Sequence, residues 1–460
     1  MLTLTTQQLA AHLDGSLHGA DVVFHGMSHD TRLIEPGGLF LALPGAYSDG
    51  HDHLERAAAA GAAAALISQP VSAAITAKLP CVQVSDVLQA MGQVARWWRD
   101  QLDVVVIAVT GSNGKTTVKE MIAAMLSAMA PTLATQGNYN NEIGVPLTLS
   151  RLNPSHRYAV IEMGCARPGD IHYLATLASP EVAVVTNAQA AHLEGLGSVT
   201  GVARTKGELF SALPAHGTAI INAEDPHAEL WLDLAAHCKT LRFGLSHAQA
   251  EVRGWYANTQ GEGEADDKAA ISVIDLPSGT VQFRAALPGR HNLINACAAL
   301  AVIEALQLDS QVGADALSRL SSMPGRLALR QNAAGWTMID DSYNANPGSM
   351  RAGIEVLTAL IGEPWLVMGD MLELGDEATT LHAELGAFAA AQGVKQLFCL
   401  GPNSAAAAQA FGLGGEHFAD HQALLTALKA RLHPGVNCLI KGSRGMAMER
   451  IVAGLEEEGA

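Results

Sequence analysis

The segment VVVIAVTGSNGKTT, residues 104–117, is the strongest indication of fold class in this chain. Its first half is a continuous apolar run rich in β-branched side chains, which is typical of a strand buried on both faces of a parallel sheet. A glycine-containing loop follows, and the residues from about Val118 are predicted to form a helix. A strand, a loop and a helix in this order predict an α/β domain that binds a nucleotide phosphate at the loop.

The residue types of this loop explain the prediction. Gly111 and Gly114 allow backbone N–H groups to point toward an anion, and the N-terminus of the following helix adds positive potential. Lys115 can neutralise the β- and γ-phosphates, and the Thr116 hydroxyl can ligate Mg²⁺. The loop departs from the common GxxxxGKS/T pattern because Val109 occupies the place of the first glycine. An ordinary glycine turn is the alternative, and the flanking strand and helix favour the nucleotide loop.

The rest of the chain alternates short β-branched runs with longer alanine-rich stretches, which is typical of parallel sheets with crossover helices. Its 460 residues, 49% of them hydrophobic, are enough for about three domains with their own cores. We therefore expect an α/β protein of three domains. Their predicted ranges are 1–84, 85–324 with the central parallel sheet, and 325–460 with a C-terminal Rossmann-like sheet.

Individual elements follow from the same patterns. In the first domain we expect a strand within 37–43, a helix over 54–65 and a closing strand in CVQVS from Cys81, followed by a connecting helix over 87–99. Further strands are predicted at 158–161, 182–185, 218–221, 337–339, 365–368, 397–400 and 438–440, with a helix over 292–306. The polar stretch GEGEADDK, residues 261–268, is predicted to be an exposed turn between antiparallel strands.

Composition excludes several classes of function. The chain has 28 Lys and Arg against 45 Asp and Glu, and its net charge of −17 would repel nucleic-acid backbones and anionic membranes. The N-terminal segment MLTLTTQQLAAHLDG has no basic part followed by an apolar core, and no stretch approaches the length of a membrane span. We expect a soluble cytoplasmic protein that is not embedded in a membrane.

The cysteines support the same compartment. All six are scattered without a CxxC pair, which indicates buried free thiols in a reducing environment. Cys165 follows an acidic strand end and could be a nucleophile, but no basic partner is indicated nearby to lower its pKa.

Two candidate ligands follow neighbouring strands. Glu162 ends the apolar run YAVI, where a nucleotide enzyme needs a carboxylate for Mg²⁺, and His192 lies in AAHLEG after the run beginning at Val182. Ligands bind beyond the carboxyl ends of strands in open α/β sheets, so both should face the phosphate. A cap or an ordinary loop residue is the alternative for each alone. Lys206, in ARTKGELF, would be a surface lysine on composition alone.

Together these motifs resemble the Mur ligase family over essentially the whole chain. The resemblance is carried by the following elements in order: TGSNGKT, GNYNNEIGVP (137–146), Glu162, AAHLEG (190–195), the KGELF segment at Lys206, GRHNLIN (289–295), PGR (324–326) and DDSYNANP (340–347). AAHLEG, DSYNANP and KGSR favour the members that add D-alanyl-D-alanine.

The resemblance implies ATP and two Mg²⁺ ions as cofactors. It implies that ATP is bound by Gly111, Ser112, Asn113, Gly114, Lys115, Thr116 and Thr117, with Asn295 at the adenine, Arg326 at the phosphates and Asp341 at the ribose. It implies Thr116, Glu162, His192 and Lys206 as metal ligands, and Lys115, Glu162, His192 and Lys206 as the catalytic set. Lys206 is carbamylated in several members, and a carbamate would supply oxygen ligands where an ammonium would be repelled by Mg²⁺.

The same resemblance implies that the first domain binds a uridine nucleotide. Ser28, Asp30 and Arg32, in SHDTR, are the expected contacts. Without the family, Asp30 and Arg32 would be interpreted as a surface ion pair.

Two loops of the last domain follow apolar strands and could hold a dipeptide carboxylate. They are GDMLELG, residues 369–375, and KGSR, residues 441–444. The alternative is that Lys441 and Arg444 stabilise a loop.

The implied reaction joins D-alanyl-D-alanine to UDP-N-acetylmuramoyl-tripeptide with consumption of ATP, in a protein expected to be a monomer. Another amide ligase of the superfamily, such as a folylpolyglutamate synthase or a different Mur ligase, is one alternative, and the first domain argues against the folate enzyme, which lacks a comparable uridine-binding domain. A nucleotide-switched binding protein is another, and the absence of an NKxD element argues against a guanine switch.

Overall fold

The structure is a computed structural model, and it describes residues 1–45, 48–257, 271–285, 287, 289–320 and 323–456. Four sheets organise the described residues: sheets of two and five strands in the N-terminal domain, nine strands in the central domain and six in the C-terminal domain. The α/β class expected from the sequence is confirmed. No helix among the described residues has the length and apolar character needed to cross a bilayer.

The N-terminal domain pairs β1 with β3 and orders its larger sheet β2-β7-β6-β5-β4, with β2 antiparallel to β7 and the other pairs parallel. Its elements are β1 (Thr3–Thr5), α1 (Thr6–His12), β2 (Ser16–His18), β3 (Val23–His25), β4 (Met27–Ser28), β5 (Leu39–Leu41), α2 (Leu54–Ala59), β6 (Ala64–Ile67), α3 (Ala73–Thr76) and β7 (Cys81–Gln83).

The predicted helix over 54–65 is wrong in its second half. Helix α2 ends at Ala59, Gly61 adopts a left-handed φ of +95°, and Ala64 begins strand β6. Both Ala64 and Ala65 are fully buried in the sheet. The helix propensity of alanine is worth only a small free energy, and burial of these residues between the apolar cores on the two faces of the sheet outweighs it.

The connecting helix α4 (Val87–Asp100) matches its prediction and leads into the central domain. The sheet order is β16-β15-β14-β13-β12-β11-β8-β10-β9. The central elements are β8 (Val105–Thr110), α5 (Lys115–Ser127), β9 (Thr132–Ala134), α6 (Gly144–Ser150), β10 (Tyr158–Glu162), α7 (Asp170–Ala178), β11 (Val182–Val185), α8 (Leu193–Leu196), α9 (Val199–Ser211), β12 (Thr218–Asn222), α10 (Ala228–Leu234), β13 (Lys239–Gly244), β14 (Val252–Ala257), β15 (Ile271–Leu276), β16 (Gly279–Arg284), α11 (Arg290–Ala305) and α12 (Ser310–Leu317).

Strand β8 is buried on both faces, as its apolar run predicts. Ile107 and Val109 pack with Val118 of α5 on one face, whereas Val106 and Ala108 belong to the core of the opposite face. The strand pairs in parallel with β10 and β11, so that Glu162 lies beside Val109 and Val185 beside Thr110. The carboxyl ends of β8, β10 and β11 therefore meet beside the loop of residues 110–117, which we call the phosphate loop.

The far edge of this sheet turns antiparallel. Strand β14 pairs with β15, and β15 with β16, in antiparallel register. The turn predicted over residues 261–268 lies outside the described residues, between β14 and β15.

The C-terminal domain has the strand order β17-β18-β22-β19-β20-β21, and all pairs are parallel except β17 with β18. Its elements are β17 (Ala328–Gln331), β18 (Thr337–Asp341), α13 (Pro347–Ala359), β19 (Glu363–Gly369), α14 (Ala378–Ala391), β20 (Gln396–Leu400), α15 (Ser404–Phe411), β21 (Gly415–Phe418), α16 (His421–Arg431), β22 (Val436–Lys441) and α17 (Glu449–Glu456). Apolar cores lie on both faces of this sheet. The four predicted strands are present, and the sequence reading missed edge strands β17 and β21.

Candidate active site

A cavity of about 940 Å³ lies between the central and C-terminal domains. Its walls come from the phosphate loop, from the ends of β10 and β11, and from the loop that follows β18. The predicted site residues on its lining are Ser112, Asn113, Gly114, Lys115, Thr116, Thr117, Glu162, His192, Asn295, Arg326 and Asp341. One cavity thus collects side chains that are far apart in sequence.

The segment that follows β11 fixes the conformation of the phosphate loop through hydrogen bonds. The backbone N–H of Ser112 donates to the Asn187 carbonyl at 2.9 Å, and that of Asn113 donates to the Asn187 side-chain oxygen at 3.0 Å. The Asn113 amide donates to Gln189 Oε1 at 2.7 Å. These bonds set the loop against a neighbouring strand end before any ligand binds.

Two glycines make the loop's path possible. Gly111 has a φ of +149°, and a Cβ there would lie 1.8 Å from Thr186 Oγ1. Gly114 has a φ of +79°, and a Cβ there would lie 2.6 Å from Asn295 Oδ1. Glycine is required at both positions because the backbone conformation and the close neighbours exclude a side chain.

Lys115 opens helix α5 and folds back over the loop. Its Nζ donates to the Gly111 carbonyl at 2.7 Å. Burial, reinforced by the nearby charge of Lys206, lowers the pKa of Lys115 to about 8. The ammonium is therefore desolvated, and an anion bound at the loop would provide it with a partner of opposite charge.

Glu162 ends β10 with its carboxylate almost fully buried. Oε1 accepts a hydrogen bond from the Asn140 amide at 2.8 Å, and the backbone N–H donates to Thr135 Oγ1 at 3.0 Å. Oε2 is buried without a hydrogen-bond partner. A buried carboxylate oxygen without a partner is costly, and a cation would supply the missing interaction.

His192 lies at the other strand end, in a left-handed conformation with φ of 55° immediately before α8. Its Nδ1 forms a short hydrogen bond with Oε2 of Glu373 from the C-terminal domain. This bond is the main cause of a lowered pKa of Glu373. An ionised carboxylate only accepts, so the Nδ1 proton belongs to the histidine.

Lys206 is buried in helix α9 and does not itself line the cavity in the described residues. Ser198 caps this helix by accepting from the Gly201 N–H at 3.1 Å. Lys206 Nζ lies 3.6 Å from Cys165 Sγ. The sequence argument that no basic group lies near Cys165 is therefore wrong, because α9 packs a lysine against that thiol.

The C-terminal domain contacts the phosphate loop directly. Arg326 donates from Nη2 to Thr116 Oγ1 at 2.8 Å, and its guanidinium stacks 4.3 Å from the centre of the Tyr343 ring. Asn346, which caps α13, donates to Asn113 Oδ1 at 2.7 Å. These contacts link the two domains at the place where a nucleotide phosphate would lie.

Asp341 and Lys441 form a buried ion pair at the ends of β18 and β22. Lys441 Nζ donates to Asp341 Oδ2 at 2.5 Å and to the Asn344 carbonyl at 2.9 Å. Burial raises the pKa of Asp341, although Lys441 opposes this shift. Lys441 thus contacts the loop after β18 and also lines the cavity, and a role for it in holding a dipeptide carboxylate stays a prediction.

Comparisons with known proteins agree with this arrangement. Three family descriptions match: the Mur ligase family catalytic domain over residues 23–99, the Mur ligase middle domain over 109–303 and the Mur ligase glutamate ligase domain over 325–444. The UDP-N-acetylmuramoyl-tripeptide–D-alanyl-D-alanine ligase of Escherichia coli K12 is 42% identical over 461 residues, with 100% of each chain covered. The chain belongs to the Mur ligase family.

Solved structures show the same similarity in three dimensions. MurF from Acinetobacter baumannii matches with a TM-score of 0.90 and 32% identity, covering 99% of each chain. MurF ligase from Thermotoga maritima, solved in complex with ADP, matches with a TM-score of 0.81 and 26% identity over 94% of this chain and 97% of that one. The three-domain Mur ligase architecture expected from the sequence is therefore confirmed.

The remaining Mur ligase positions lie in different surroundings. Asn295 packs against Gly114 of the phosphate loop and donates to Asn292 Oδ1 at 3.4 Å.

The residues expected to bind the uridine nucleotide contact one another. Ser28 Oγ bonds to the backbone of Asp30, and the Asp30 carboxylate forms an ion pair with Arg32 at 2.6 Å. None of these three N-terminal residues lies on the cavity lining of the described chain. Their uridine-binding role stays a prediction.

Sequence reasoning missed several residues that build this Mur ligase site. Asn140 supports Glu162, Asn187 anchors the phosphate loop, and Glu373 reaches His192. Asn140 and Glu373 lie in motifs already recognised in the sequence, GNYNNEIGVP and GDMLELG. Motif position alone does not indicate which side chain they contact.

Across the described ranges, no group of three or more His, Cys, Asp or Glu side chains is arranged to hold a metal ion. A site that binds Mg²⁺ through one or two carboxylates, substrate phosphates and water does not need such a cluster.

Proposed function

We propose that this chain is an ATP-dependent ligase that joins D-alanyl-D-alanine to UDP-N-acetylmuramoyl-tripeptide. The observation that carries the proposal is the 42% identity over the full length to a ligase named for that reaction. The interdomain cavity supports it, because it brings together a phosphate loop, a buried carboxylate and basic side chains. The product would be the pentapeptide nucleotide used in peptidoglycan synthesis.

The chemistry explains why ATP is needed. A carboxylate is a poor electrophile, so the tripeptide carboxylate first attacks the γ-phosphorus and ADP leaves. The amine of D-alanyl-D-alanine then attacks the acyl phosphate through a tetrahedral intermediate, phosphate leaves and the amine loses a proton. Lys115 and Arg326 would offset the charge between the two approaching anions.

The residues of the cavity fit Mg²⁺. Glu162 Oε2 is a buried carboxylate oxygen without a hydrogen-bond partner, and hard oxygen ligands suit Mg²⁺. We propose that Thr116, Glu162, His192 and a carbamylated Lys206 hold two ions, which would stabilise the charge that develops on the phosphates. A histidine that binds metal through a ring nitrogen cannot accept the amine proton at the same atom, so His192 is not assigned as the base.

The other substrates and the nucleotide complete the proposal. ATP would lie along residues Gly111–Thr117 with Asn295, Arg326 and Asp341 at its adenine, phosphate and ribose parts. The uridine nucleotide would contact Ser28, Asp30 and Arg32, whose present ion pair would have to open. We further propose domain ranges of 1–84, 85–324 and 325–460, a monomeric state and, because ATP is a cytoplasmic metabolite, a reaction in the cytoplasm.

Closure of the cavity suits an acyl-phosphate reaction. Acyl phosphates hydrolyse, so water must be kept away until the amine has bound. The Arg326–Thr116 and Asn346–Asn113 contacts hold the C-terminal domain against the phosphate loop. These contacts would limit access of water to the reacting carbonyl.

The deciding experiment measures phosphate release from ATP and Mg²⁺ with UDP-N-acetylmuramoyl-tripeptide, with and without D-alanyl-D-alanine. Tripeptides carrying meso-diaminopimelate and lysine are tested separately, and the product is identified by mass. A ligase requires both substrates and yields the pentapeptide nucleotide. A nucleotide switch would release phosphate with neither tripeptide nor dipeptide present, and that result, or no release with either tripeptide, would overturn the proposal. Lys115→Ala should abolish turnover, whereas Lys395→Ala, a change at an exposed lysine, should not.

A further inference from the structure

Glu373 and His192 meet across the interface between the central and C-terminal domains, 181 residues apart in sequence. Both adopt left-handed backbone conformations, with φ of 62° for Glu373 and 55° for His192. Such conformations are unfavourable for residues other than glycine and tend to occur at functional sites. Two residues with left-handed backbones, from different domains, therefore face each other, and His192 lines the cavity.

The loop that carries Glu373 is firmly held within its own domain. The Met371 N–H donates to Nε2 of the fully buried His382 at 2.9 Å, and the Leu372 N–H donates to Ser443 Oγ at 2.9 Å. Ser443 Oγ in turn donates to the Ala345 carbonyl at 3.1 Å. Glu373 thus projects from a loop fixed by buried hydrogen bonds.

The backbone of His192 is also fixed on its own side of the interface. It precedes the short helix α8, and the Leu196 N–H donates to its carbonyl at 3.0 Å. A Cβ on Gly195 would lie 2.0 Å from the Ala166 carbonyl oxygen, so this helix packs directly against the loop after β10. With Nδ1 bound to Glu373, the ring has Nε2 left for another partner.

The pair contributes little to the stability of the fold. The side chains are 33% and 57% exposed for His192 and Glu373, and ion pairs in such surroundings are well screened by water. Its more specific effect is on the imidazole: a carboxylate that accepts from one ring nitrogen fixes the tautomer, orients the ring and strengthens the other nitrogen as a ligand.

We propose that Glu373 is a positioning residue that holds His192 for metal binding when the C-terminal domain is closed. The inference rests on the proposed function in one respect, namely that His192 binds a divalent cation through Nε2. Because Glu373 belongs to the other domain, closure and completion of the cation site become one event. The open arrangement would leave His192 free to rotate and would bind the cation more weakly.

The test measures Mn²⁺ binding by electron paramagnetic resonance in the presence of ADP, with the full chain and without tripeptide or dipeptide. We expect Glu373→Gln to weaken Mn²⁺ binding about 10- to 100-fold, the usual effect of losing a carboxylate partner of a metal-binding histidine. Affinity for ADP in EDTA should stay unchanged. The matched change Glu377→Gln, at an exposed glutamate four residues along the chain, should leave Mn²⁺ affinity unchanged.

A double variant separates positioning from a direct role. If Glu373 acts through His192, then His192→Gln combined with Glu373→Gln should lose no more Mn²⁺ affinity than His192→Gln alone. Additive losses, or a Glu373→Gln variant with the affinity of the unchanged chain, would overturn the inference. Thermal unfolding of each variant checks that the fold is retained. Because no ligase turnover is measured, failure of the proposed reaction would leave the result interpretable.

Discussion

The Arg326 guanidinium donates to the Thr116 hydroxyl at 2.8 Å across a sequence separation of 210 residues. Thr116 belongs to the phosphate loop and Arg326 to the C-terminal domain, so this hydrogen bond joins two walls of the cavity, beside the Asn346–Asn113 bond. The same hydroxyl is the proposed ligand of Mg²⁺. Nucleotide binding is therefore expected to transfer Arg326 from Thr116 to a phosphate oxygen.

Replacing Arg326 with lysine tests this transfer. Lysine retains the charge but loses the planar group that stacks on Tyr343 and reaches Thr116. Hydrogen bonds to charged groups are worth about 1.5–3 kcal/mol, so kcat/KM for ATP should fall about 10- to 100-fold. Arg351→Lys, at an arginine that stacks over the Phe388 ring and does not line the cavity, should change kcat/KM for ATP less than about twofold. Equal kinetics for the two variants would contradict the assignment.

Glu162→Gln should raise the stability of the protein but lower its catalytic rate. Gln keeps an oxygen for the Asn140 amide but removes the charge at the unpartnered Oε2. The melting temperature without ligand should rise by about 2–4 °C, while kcat should fall by about 100-fold or more. Addition of Mg²⁺ should no longer strengthen nucleotide binding. Calorimetry and steady-state kinetics measure these effects, and Glu229→Gln, at an exposed position, is the control. A variant that still responds to Mg²⁺ would argue against a metal role.

Nucleotide binding should take up a proton near pH 8. With Lys206 as an uncarbamylated ammonium, the pKa of Lys115 is lowered to about 8 in the free protein, mainly by burial, and a bound polyphosphate would raise it again. At pH 8 about half a proton per nucleotide should be taken up, and uptake should vanish near pH 6.5, where the amine is already charged. Titration calorimetry in buffers of different ionisation enthalpy measures the uptake. Lys115→Arg should remove it, since arginine stays charged; persistent uptake would assign the proton to another group.

Gly111→Ala should destabilise the protein and abolish nucleotide binding. A Cβ at φ of +149° would lie 1.8 Å from Thr186 Oγ1, and strain plus overpacking of this kind costs about 3 kcal/mol. Gly393 also has a positive φ, of +90°, but nothing lies within 4 Å of the Cβ position. Gly393→Ala should therefore cost only about 1 kcal/mol. Thermal unfolding of both variants measures the difference, and equal losses would show that the contact with Thr186 relaxes freely.

Half-buried His291, which lines the cavity, should contribute to acid sensitivity. Burial, with a smaller effect from Lys441, lowers the pKa of His291 to about 4. Because the unfolded chain then binds the proton more tightly, stability is fully present above about pH 6.5 and falls as the pH drops toward 4, by about 3 kcal/mol. His291→Gln should reduce the loss of stability between about pH 6.5 and pH 4, measured as melting temperature against pH. His216→Gln, at an exposed histidine, should leave the acid dependence of the melting temperature unchanged. The same acid dependence in both variants would contradict the assignment.

Local patterns in the sequence predict much of the fold and part of the candidate site. The apolar run before Gly111 predicts β8 and the loop, and Glu162 and His192 follow their strands as expected, because parallel strands end at one edge. The alanine-rich stretch after Ala57 misleads, since small residues suit both a helix and a tightly packed strand such as β6. Edge strands β17 and β21 are short, and their mixed burial gives a weak periodic signal.

The features that can be inferred from the sequence alone are local: strand–loop–helix order, the glycines of the phosphate loop and the identity of the strand-end side chains. Hydrophobic periodicity and backbone hydrogen bonding act over a few residues, so they can be inferred without the fold. Which of these side chains meet could be learned only from the three-dimensional structure. The pairing of His192 with Glu373, of Arg326 with Thr116 and of Lys206 with Cys165 depends on how distant helices and domains pack. The same packing buries Glu162 Oε2 without a partner, because desolvation is a property of the assembled protein and not of any local segment.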